Sequence, residues 1–375
     1  MAKQIINAKI VTPEGILEGK TLIYDEKITD IADAPIAGAE TIDASGRLLI
    51  PGLIDIHIHG YLGADASDGT EEAVRTIAAG ILKNGVTAFL PTTMTVSYDM
   101  LEKAFSAVRG VMKTPHAGEA RVIGVHAEGP FININKKGAQ LGEYVRKPDA
   151  EFVVRHRDII KLITIAPETD EGFSEIKKIR ENTCAAISLG HTDADYDTAV
   201  RAFEAGVSHA THLFNAMTGI THRAPGAAGA ALFSDKVSCE LICDTFHVHP
   251  ALFAPVFRLK GNKFNLITDC MRAGGLSDGE YDLGGQMVTV NGIECRLKDG
   301  TIAGSVLRLN RAVANLARAG VPLHEAVCAA SLYPAMAIGV DNERGAIRAG
   351  LRADFSLCDT DMNISEVFVA GVREL

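Results

Sequence analysis

Two histidines one residue apart, His57 and His59, end an apolar run in the segment PGLIDIHIHG (51–60). Side chains at positions i and i+2 of a β-strand lie on the same face, so both imidazoles would face the same side. The isoleucines that alternate with them are typical of a strand buried on both faces in a parallel sheet. This pattern favours ligation of a metal ion, with buried histidines in ordinary hydrogen bonds as the alternative for so short a motif.

Several apolar runs further along the chain also end in ionisable residues. These residues are Glu128, His191, His212 and Asp269. In a barrel of parallel strands all C-terminal strand ends open to the same side, so these groups and the histidine pair would meet in one cavity. Imidazole and carboxylate ligands suit zinc, iron and similar divalent ions. The sequence therefore predicts a metal site with two ions bridged by Glu128, or with one ion and an open position.

Two further histidines lie close to these candidates in the sequence. His126 precedes Glu128 by two residues, so we expect it to orient that carboxylate as a supporting residue. His209 precedes His212 by three residues, and on a strand that spacing places the two side chains on opposite faces. We therefore expect a structural role for His209.

Eight apolar, strand-like runs alternate with amphipathic segments in the central part of the chain. The runs cover residues 53–59, 86–93, 121–128, 161–168, 184–191, 207–214, 237–244 and 264–269. The segments between them include 71–83, 98–112, 171–180 and 196–205. Eight such units predict an α/β fold of the (β/α)8 TIM barrel type. A doubly wound sheet is the alternative, but its dinucleotide-binding form has a glycine-rich turn after the first strand, which this sequence lacks.

Short β-rich pieces flank the barrel region at both ends of the chain. Residues 1–50 and 345–375 alternate apolar and polar side chains between Gly, Pro and Asp, which is typical of small antiparallel strands. Chain termini often lie close together, so we expect both pieces to form one small β-domain. Residues 51–344 then form the barrel domain, with a β-hairpin inserted near 280–304 and two helical stretches, 306–318 and 323–330, after it.

The composition of the 375 residues, with 47% hydrophobic and 22% charged, is that of a globular protein. The formal net charge of −10 argues against a general nucleic-acid binder. The sequence contains no apolar run of transmembrane length and no signal-peptide pattern, so we expect no membrane association and a cytoplasmic location. The seven cysteines are scattered without a C-x-x-C pair, which predicts reduced thiols.

Several motifs occur in an order that matches one enzyme family over nearly the whole chain. They are PGLIDIHIHG, HAEGPF, APE, SLGHT, HLFNAM, LITD, DGEYDLGG and IAGS. Together they resemble the N-acetylglucosamine-6-phosphate deacetylases of the amidohydrolase superfamily. The resemblance implies a metal-dependent barrel with a small β-sandwich formed by both termini, usually in a homodimer. The implied reaction hydrolyses the acetamide of an N-acetylated amino-sugar 6-phosphate to acetate and the free amine.

The resemblance also implies roles for individual residues. Glu128, His191 and His212 match the metal ligands that the family shares, and Asp269 matches its catalytic aspartate. The pair His57 and His59 matches a pair that many members use for a second ion. The residues that correspond to sugar-phosphate contacts are Asn215, Ala216, Arg223 and His247. Arginine binds phosphate oxygens through two parallel hydrogen bonds, and the resemblance implies that Arg223 is donated across a dimer interface.

Gln140 marks a departure from some relatives, which have a histidine at this place in the segment KKGAQ to polarise the acetyl carbonyl. Glutamine donates a hydrogen bond but carries no proton, so we expect Gln140 to contact substrate while a second ion acts as the Lewis acid. The divalent ion is expected to be zinc, although iron, manganese and cobalt accept the same ligands.

These expectations combine into metal-assisted amide hydrolysis in amino-sugar catabolism or recycling. Asp269 would take a proton from the attacking water and return it to the departing amine. The expected substrate is N-acetyl-D-glucosamine 6-phosphate. N-acetylgalactosamine 6-phosphate is the alternative, because the configuration of one hydroxyl cannot be read from the sequence. A non-catalytic metal-binding barrel is a lower alternative, against which the intact ligand set and Asp269 argue.

Overall fold

Eight parallel strands form a central barrel in the computed structural model, which describes residues 3–375. Each strand pairs with the one that follows it in the chain. The barrel closes where the amide of Asp269 donates to the carbonyl of His57 at 2.9 Å. Next to this bond, Ile58 pairs with Cys270 in a parallel β-bridge. The strands are Leu53–Ile58, Val86–Thr93, Val125–Glu128, Ile160–Ile165, Ala186–Leu189, His209–Ala210, Ser238–Ile242 and Phe264–Ile267. The predicted (β/α)8 barrel is confirmed.

The helices cover the outside of the barrel with their apolar faces. Glu71–Leu82 is typical: the Thr70 side chain accepts a hydrogen bond from a backbone amide of the first turn, and Val74, Ile77 and Ile81 are buried. The other helices are Tyr98–Lys113, Ala150–Arg155, Ser174–Asn182, Tyr196–Ala205, Gly226–Phe233, Phe253–Lys260, Leu309–Arg318, Leu323–Cys328 and Leu332–Ala337. Among the helices of residues 3–375, none combines the length and the apolar character that a membrane crossing requires.

Two sheets made from the chain ends pack beside the barrel. The first contains Ile28–Ala32, Thr21–Tyr24, Lys3–Ile6 and Glu40–Asp43, in this order. The second contains Val372–Arg373, Ile364–Val369, Phe355–Cys358, Leu48–Pro51, Lys9–Thr12 and Gly15–Leu17. Buried side chains from both sheets, among them Ile5, Tyr24 and Phe355, form a shared apolar core. Both termini thus build the sandwich, while the exact domain boundaries at residues 50 and 345 stay a prediction.

The predicted hairpin near 280–304 is a three-stranded antiparallel sheet of Gly279–Leu283, Gln286–Asn291 and Glu294–Leu297. The predicted helix at 171–180 begins instead with a single turn, and the α-helix starts at Ser174. Gly172 and Phe173 have left-handed backbone angles, with φ of 66° and 57°, and these interrupt the helix. Several barrel strands are also shorter than predicted, because the chain turns sharply before the last residues of each run.

Candidate active site

The six predicted metal ligands lie together at the C-terminal end of the barrel, and all six are buried. They come from the ends of five strands, which all point the same way. The ligands are His57, His59, Glu128, His191, His212 and Asp269. The structure therefore brings together residues that are separated by more than two hundred positions in the sequence.

Three of these residues leave their strands in a left-handed backbone conformation. The φ angles are 46° at His191, 30° at His212 and 49° at Asp269. Such angles are uncommon outside glycine and cost about 1–3 kcal/mol for each residue. They persist only where the surrounding contacts impose them, and they are concentrated at functional sites. They also explain why the strands end earlier than the apolar pattern predicts.

His57, His59 and Asp269 form one group of ligand atoms. Nε2 of His59 lies 3.3 Å from Nε2 of His57 and 3.2 Å from Oδ1 of Asp269. The other ring nitrogen of each histidine has a hydrogen-bond acceptor. Nδ1 of His57 donates to Glu240 at 2.9 Å, and Nδ1 of His59 donates to the carbonyl of Thr92 at 3.1 Å. These bonds leave both Nε2 lone pairs directed into the group.

Glu128, His191 and His212 form a second group. Oε1 of Glu128 lies 3.2 Å from Nε2 of His191 and 3.0 Å from Nε2 of His212. Nδ1 of His191 donates to the carbonyl of Lys136 at 2.9 Å, so its Nε2 is also free to accept. The second oxygen of Glu128 lies 3.3 Å from Nε2 of His59. Glu128 therefore stands between the two groups, as expected for a bridging ligand.

The donor atoms of both groups fit divalent ions. Within each group the ligand atoms lie within 4.8 Å of one another. The Nε2 atoms of His191 and His212 lie 3.1 Å apart. At this distance their lone pairs repel each other unless a proton or a cation lies between them. Imidazole nitrogens and carboxylates are the usual ligands of zinc and similar ions. Each group could therefore hold one ion.

The electrostatic environment of the two groups also favours a cation. Burial alone would lower the pKa of His57, but the carboxylates of Glu240, Glu128 and Asp269 outweigh it and raise that pKa to about 9. Burial would raise the pKa of Glu128, but the adjacent imidazoles hold it well below its usual range. The carboxylates thus stay ionised and stabilise positive charge between them.

His126 has a different role from the one expected. Its Nδ1 donates to the carbonyl of Ile56 at 3.2 Å, and its Nε2 accepts from the hydroxyl of Thr164 at 2.8 Å. Burial and the nearby charge of His57 lower its pKa to about 3, so the ring is neutral. Both ring nitrogens of His126 are therefore hydrogen-bonded inside the barrel core. The expectation that His126 orients Glu128 is wrong. His209 is buried and contacts Glu240, with 3.2 Å between Nε2 and Oε1.

A cavity of about 370 Å³ opens above the ligands, a volume suited to a small molecule. Four of the predicted substrate residues line it: Gln140, Asn215, Ala216 and His247. Arg223 is exposed, and the lining residues of the described chain do not include it. The candidate phosphate contact therefore lies outside the cavity of its own chain.

The side chains of two lining residues are already oriented by neighbours. Gln140 donates to Glu128 at 2.5 Å, and its oxygen accepts from the amide of Thr95 at 2.7 Å. Nδ1 of His247 donates to Asp244 at 2.6 Å, which leaves Nε2 as the ring atom available to a ligand. Asp244 also accepts from the backbone amide of His247 and so forms the turn that presents the ring.

Three residues of the site are absent from the sequence-based prediction. Lys136 lines the cavity, Asp244 orients His247, and Glu240 contacts His57. A charged residue inside the apolar run 237–244 was the available signal for Glu240. The three-residue spacing to His247 was the signal for Asp244. For Lys136 the segment KKGAQ placed a cation close to Gln140, but nothing in it distinguished Lys136 from Lys137.

The region from residue 48 to residue 373 matches the sequence profile of the Amidohydrolase family. This region contains every strand of the barrel and all six candidate ligands. The chain belongs to the amidohydrolase family. The resemblance seen in the sequence motifs is thereby confirmed.

This amidohydrolase is 37% identical to a Lysinibacillus sphaericus protein named N-acetylglucosamine-6-phosphate deacetylase, over 92% of this chain and 91% of the relative. It is 32% identical to an Escherichia coli protein named N-acetylgalactosamine-6-phosphate deacetylase, over 95% of this chain and 98% of the relative. It also superposes on a mutant N-acetyl-D-glucosamine-6-phosphate deacetylase from Mycobacterium smegmatis, solved with N-acetyl-D-glucosamine-6-phosphate. That superposition has a TM-score of 0.92 and 30% identity and covers 100% of this chain and 99% of the other.

Proposed function

We propose that this amidohydrolase removes the acetyl group from N-acetyl-D-glucosamine 6-phosphate, giving D-glucosamine 6-phosphate and acetate. The observation that carries the proposal is the position of Asp269, which lines the cavity and lies 3.2 Å from His59 in the ligand cluster. The names of the relatives and the substrate bound to the Mycobacterium smegmatis protein support the choice of substrate. A phosphorylated sugar does not cross membranes unaided, so we place the reaction in the cytoplasm.

The metal requirement follows from the two ligand groups. We propose that His57, His59 and Asp269 hold one ion, that His191 and His212 hold another, and that Glu128 bridges them. The ion we favour is zinc, because nitrogen and carboxylate ligands suit it. When bound, such an ion polarises the amide carbonyl and lowers the pKa of water towards neutrality.

Asp269 is the proton carrier in this proposal. Burial would raise the pKa of its carboxyl, but His57 and His59 outweigh that effect and lower it, so the group is ionised and ready to accept a proton. As the water attacks the acetyl carbon, Asp269 takes its proton. It then donates that proton to the nitrogen of the departing amine, which an amide leaving group requires.

The cavity walls supply the contacts that hold the sugar phosphate. Nε2 of His247 and the backbone around Asn215 and Ala216 are available to the sugar hydroxyls. Lys136 provides a positive charge in the lining, at 3.5 Å from Asp193. We propose a homodimer in which Arg223 of a second copy of this chain completes the phosphate site, because Arg223 is exposed and lies off its own cavity.

The similarity to the Escherichia coli protein supports N-acetyl-D-galactosamine 6-phosphate as a second candidate substrate. Acetate release from both sugar phosphates, measured with zinc-loaded protein at equal concentrations, separates the two. A higher kcat/KM for the gluco compound supports our proposal, and a higher value for the galacto compound reverses the assignment. Release of acetate from neither compound, by protein that contains metal, would contradict deacetylation of these sugars.

A further inference from the structure

We propose that Glu240 is a positioning residue that fixes the orientation of two metal-binding histidines and so sets the affinity of the site for divalent ions. This inference rests on the proposed metal-dependent function. Glu240 lies in the barrel strand Ser238–Ile242 and is fully buried. Its carboxylate is surrounded by the barrel interior, on the side of His57 that faces away from the cavity.

Three donors meet the Glu240 carboxylate. Oε2 accepts from Nδ1 of His57 at 2.9 Å and from the backbone amide of His212 at 3.0 Å. Oε1 lies 3.2 Å from Nε2 of His209. The backbone carbonyl of Glu240 accepts a hydrogen bond from the amide of Leu213 at 2.9 Å. One residue therefore holds a ligand of the first group by its ring and a ligand of the second group by its backbone.

The proton positions follow from the chemistry of these partners. An ionised carboxylate only accepts hydrogen bonds, so Nδ1 of His57 and Nε2 of His209 both carry protons. The Nδ1 proton of His57 is thus held on the side of Glu240, and Nε2 is directed at His59 and Asp269. A carboxylate on the outer nitrogen also makes the inner nitrogen a stronger ligand.

A different role for Glu240, as a ligand of an ion between His57 and His126, conflicts with the hydrogen bonds. Those three side chains lie close enough to surround an ion. However, His126 donates through Nδ1 to Ile56 and accepts through Nε2 from Thr164, so its lone pair is already used. The geometry therefore points to Glu240 as support for ligands rather than as a ligand.

The test compares Glu240→Leu with Glu240→Gln in protein first stripped of metal with a chelator. Zinc and Co²⁺ affinities are measured by calorimetry, Co²⁺ coordination by visible absorption, and bound ions by elemental analysis. Leucine removes every acceptor, and we expect affinity at the His57 group to fall about 10- to 100-fold. Glutamine keeps an acceptor for His57 and His212 but lacks the charge, so we expect a smaller loss and two ions at saturating metal.

Asp170→Asn is the matched control. Asp170 is also a buried carboxylate with several donors, among them the amide of Ile176 at 2.9 Å, but these lie at the start of a helix outside the barrel. We expect it to lower the melting temperature while metal affinity stays at the wild-type value. Equal loss of affinity in Glu240→Leu and Asp170→Asn would overturn the proposal, because it would reflect general destabilisation.

The remaining outcomes are also decisive. Wild-type affinity in Glu240→Leu overturns the positioning role. If that variant does not fold, Glu240→Gln decides alone: a weaker affinity supports the role, and an unchanged affinity overturns it. Wild-type protein that binds neither zinc nor Co²⁺ would overturn the proposed function itself, which distinguishes that failure from failure of the positioning role.

Discussion

The amide nitrogen of Gln140 lies 2.5 Å from Oε2 of Glu128, the carboxylate between the two ligand groups. The oxygen of Gln140 accepts from the backbone amide of Thr95 at 2.7 Å, so both ends of the side-chain amide are held. The sequence predicted a substrate contact at Gln140. The structure adds a bond that restrains Glu128, and this bond leads to a specific expectation.

Gln140→Leu should weaken metal retention by about 10- to 100-fold, because Glu128 loses the donor that orients it. Turnover should recover in excess zinc, which is checked by measuring acetate release against zinc concentration. Gln4→Leu is the control, since Gln4 is equally buried but lies in the terminal sandwich. Loss of turnover that persists at full metal occupancy would instead assign Gln140 to the substrate carbonyl.

Asp269→Asn should reduce kcat by about 10²- to 10⁴-fold, because the asparagine amide cannot shuttle the proton. Binding of substrate should persist, since the side-chain volume is nearly unchanged. Acetate release is measured in parallel with elemental analysis of the variant. Together the two measurements distinguish loss of the proton carrier from loss of an ion. Near-normal turnover in this variant would remove Asp269 from the proposed role.

His57→Gln and His59→Asn should each lose one metal equivalent together with activity. The reason is that both Nε2 atoms face the group that contains Asp269. Elemental analysis before and after dialysis measures the equivalents. His116→Gln, at a largely exposed histidine, serves as the control. Full turnover with a single ion in His57→Gln would show that the second ion is dispensable.

Arg223→Met should raise KM for the sugar phosphate but leave metal content unchanged, because Arg223 is exposed and is not among the described residues that line the cavity. If Arg223 completes the site of a second copy, mixing subunits of Arg223→Met with inactive Asp269→Asn subunits should restore activity. Each mixed dimer then contains one intact site. The measurement is acetate release after refolding of mixed subunits, and activity no higher than the sum of the parents would argue against a shared site.

Lys136→Met should lower kcat/KM for the phosphorylated sugar by about 10-fold or more, because a charged hydrogen bond to phosphate contributes about 1.5–3 kcal/mol. The His191 ring should stay in place, since it is held by the backbone carbonyl of Lys136. The comparison is with N-acetylglucosamine lacking phosphate, for which little change is expected. Lys137→Met is the neighbouring control, and equal losses in both variants would point to general charge instead of a specific contact.

The sequence was sufficient to predict the barrel and the convergence of the six candidate ligands. The reason is physical: five of the apolar runs contain an ionisable candidate ligand at their C-terminal end, and parallel strands place all such ends together. Helix boundaries were less predictable, as the interruption at Gly172 and Phe173 shows. Phe173 has a left-handed backbone angle and packs against the barrel core, and no local pattern in the sequence reveals such a tertiary contact.

The supporting partners of the ligands could not be predicted for a similar reason. His59 is held by the carbonyl of Thr92 and His191 by the carbonyl of Lys136, and a backbone carbonyl has no signature in the sequence. Glu240 is 183 residues from His57, and only the closure of the barrel makes them neighbours. The role predicted for His126 was wrong. Its two-residue spacing from Glu128 suggested that it orients this carboxylate, whereas its ring is hydrogen-bonded to Thr164 on the adjacent strand.

The strand Leu48–Pro51 lies between Lys9–Thr12 and Phe355–Cys358, and one residue later the chain enters the barrel strand that carries His57. The link, Gly52, is so closely packed that an added Cβ would lie 2.1 Å from Thr87. During synthesis, the sheet that anchors this link is completed only after its strands between residues 355 and 373 have left the ribosome. The start of the strand that carries His57 and His59 is therefore anchored by residues that are made long after the strand itself.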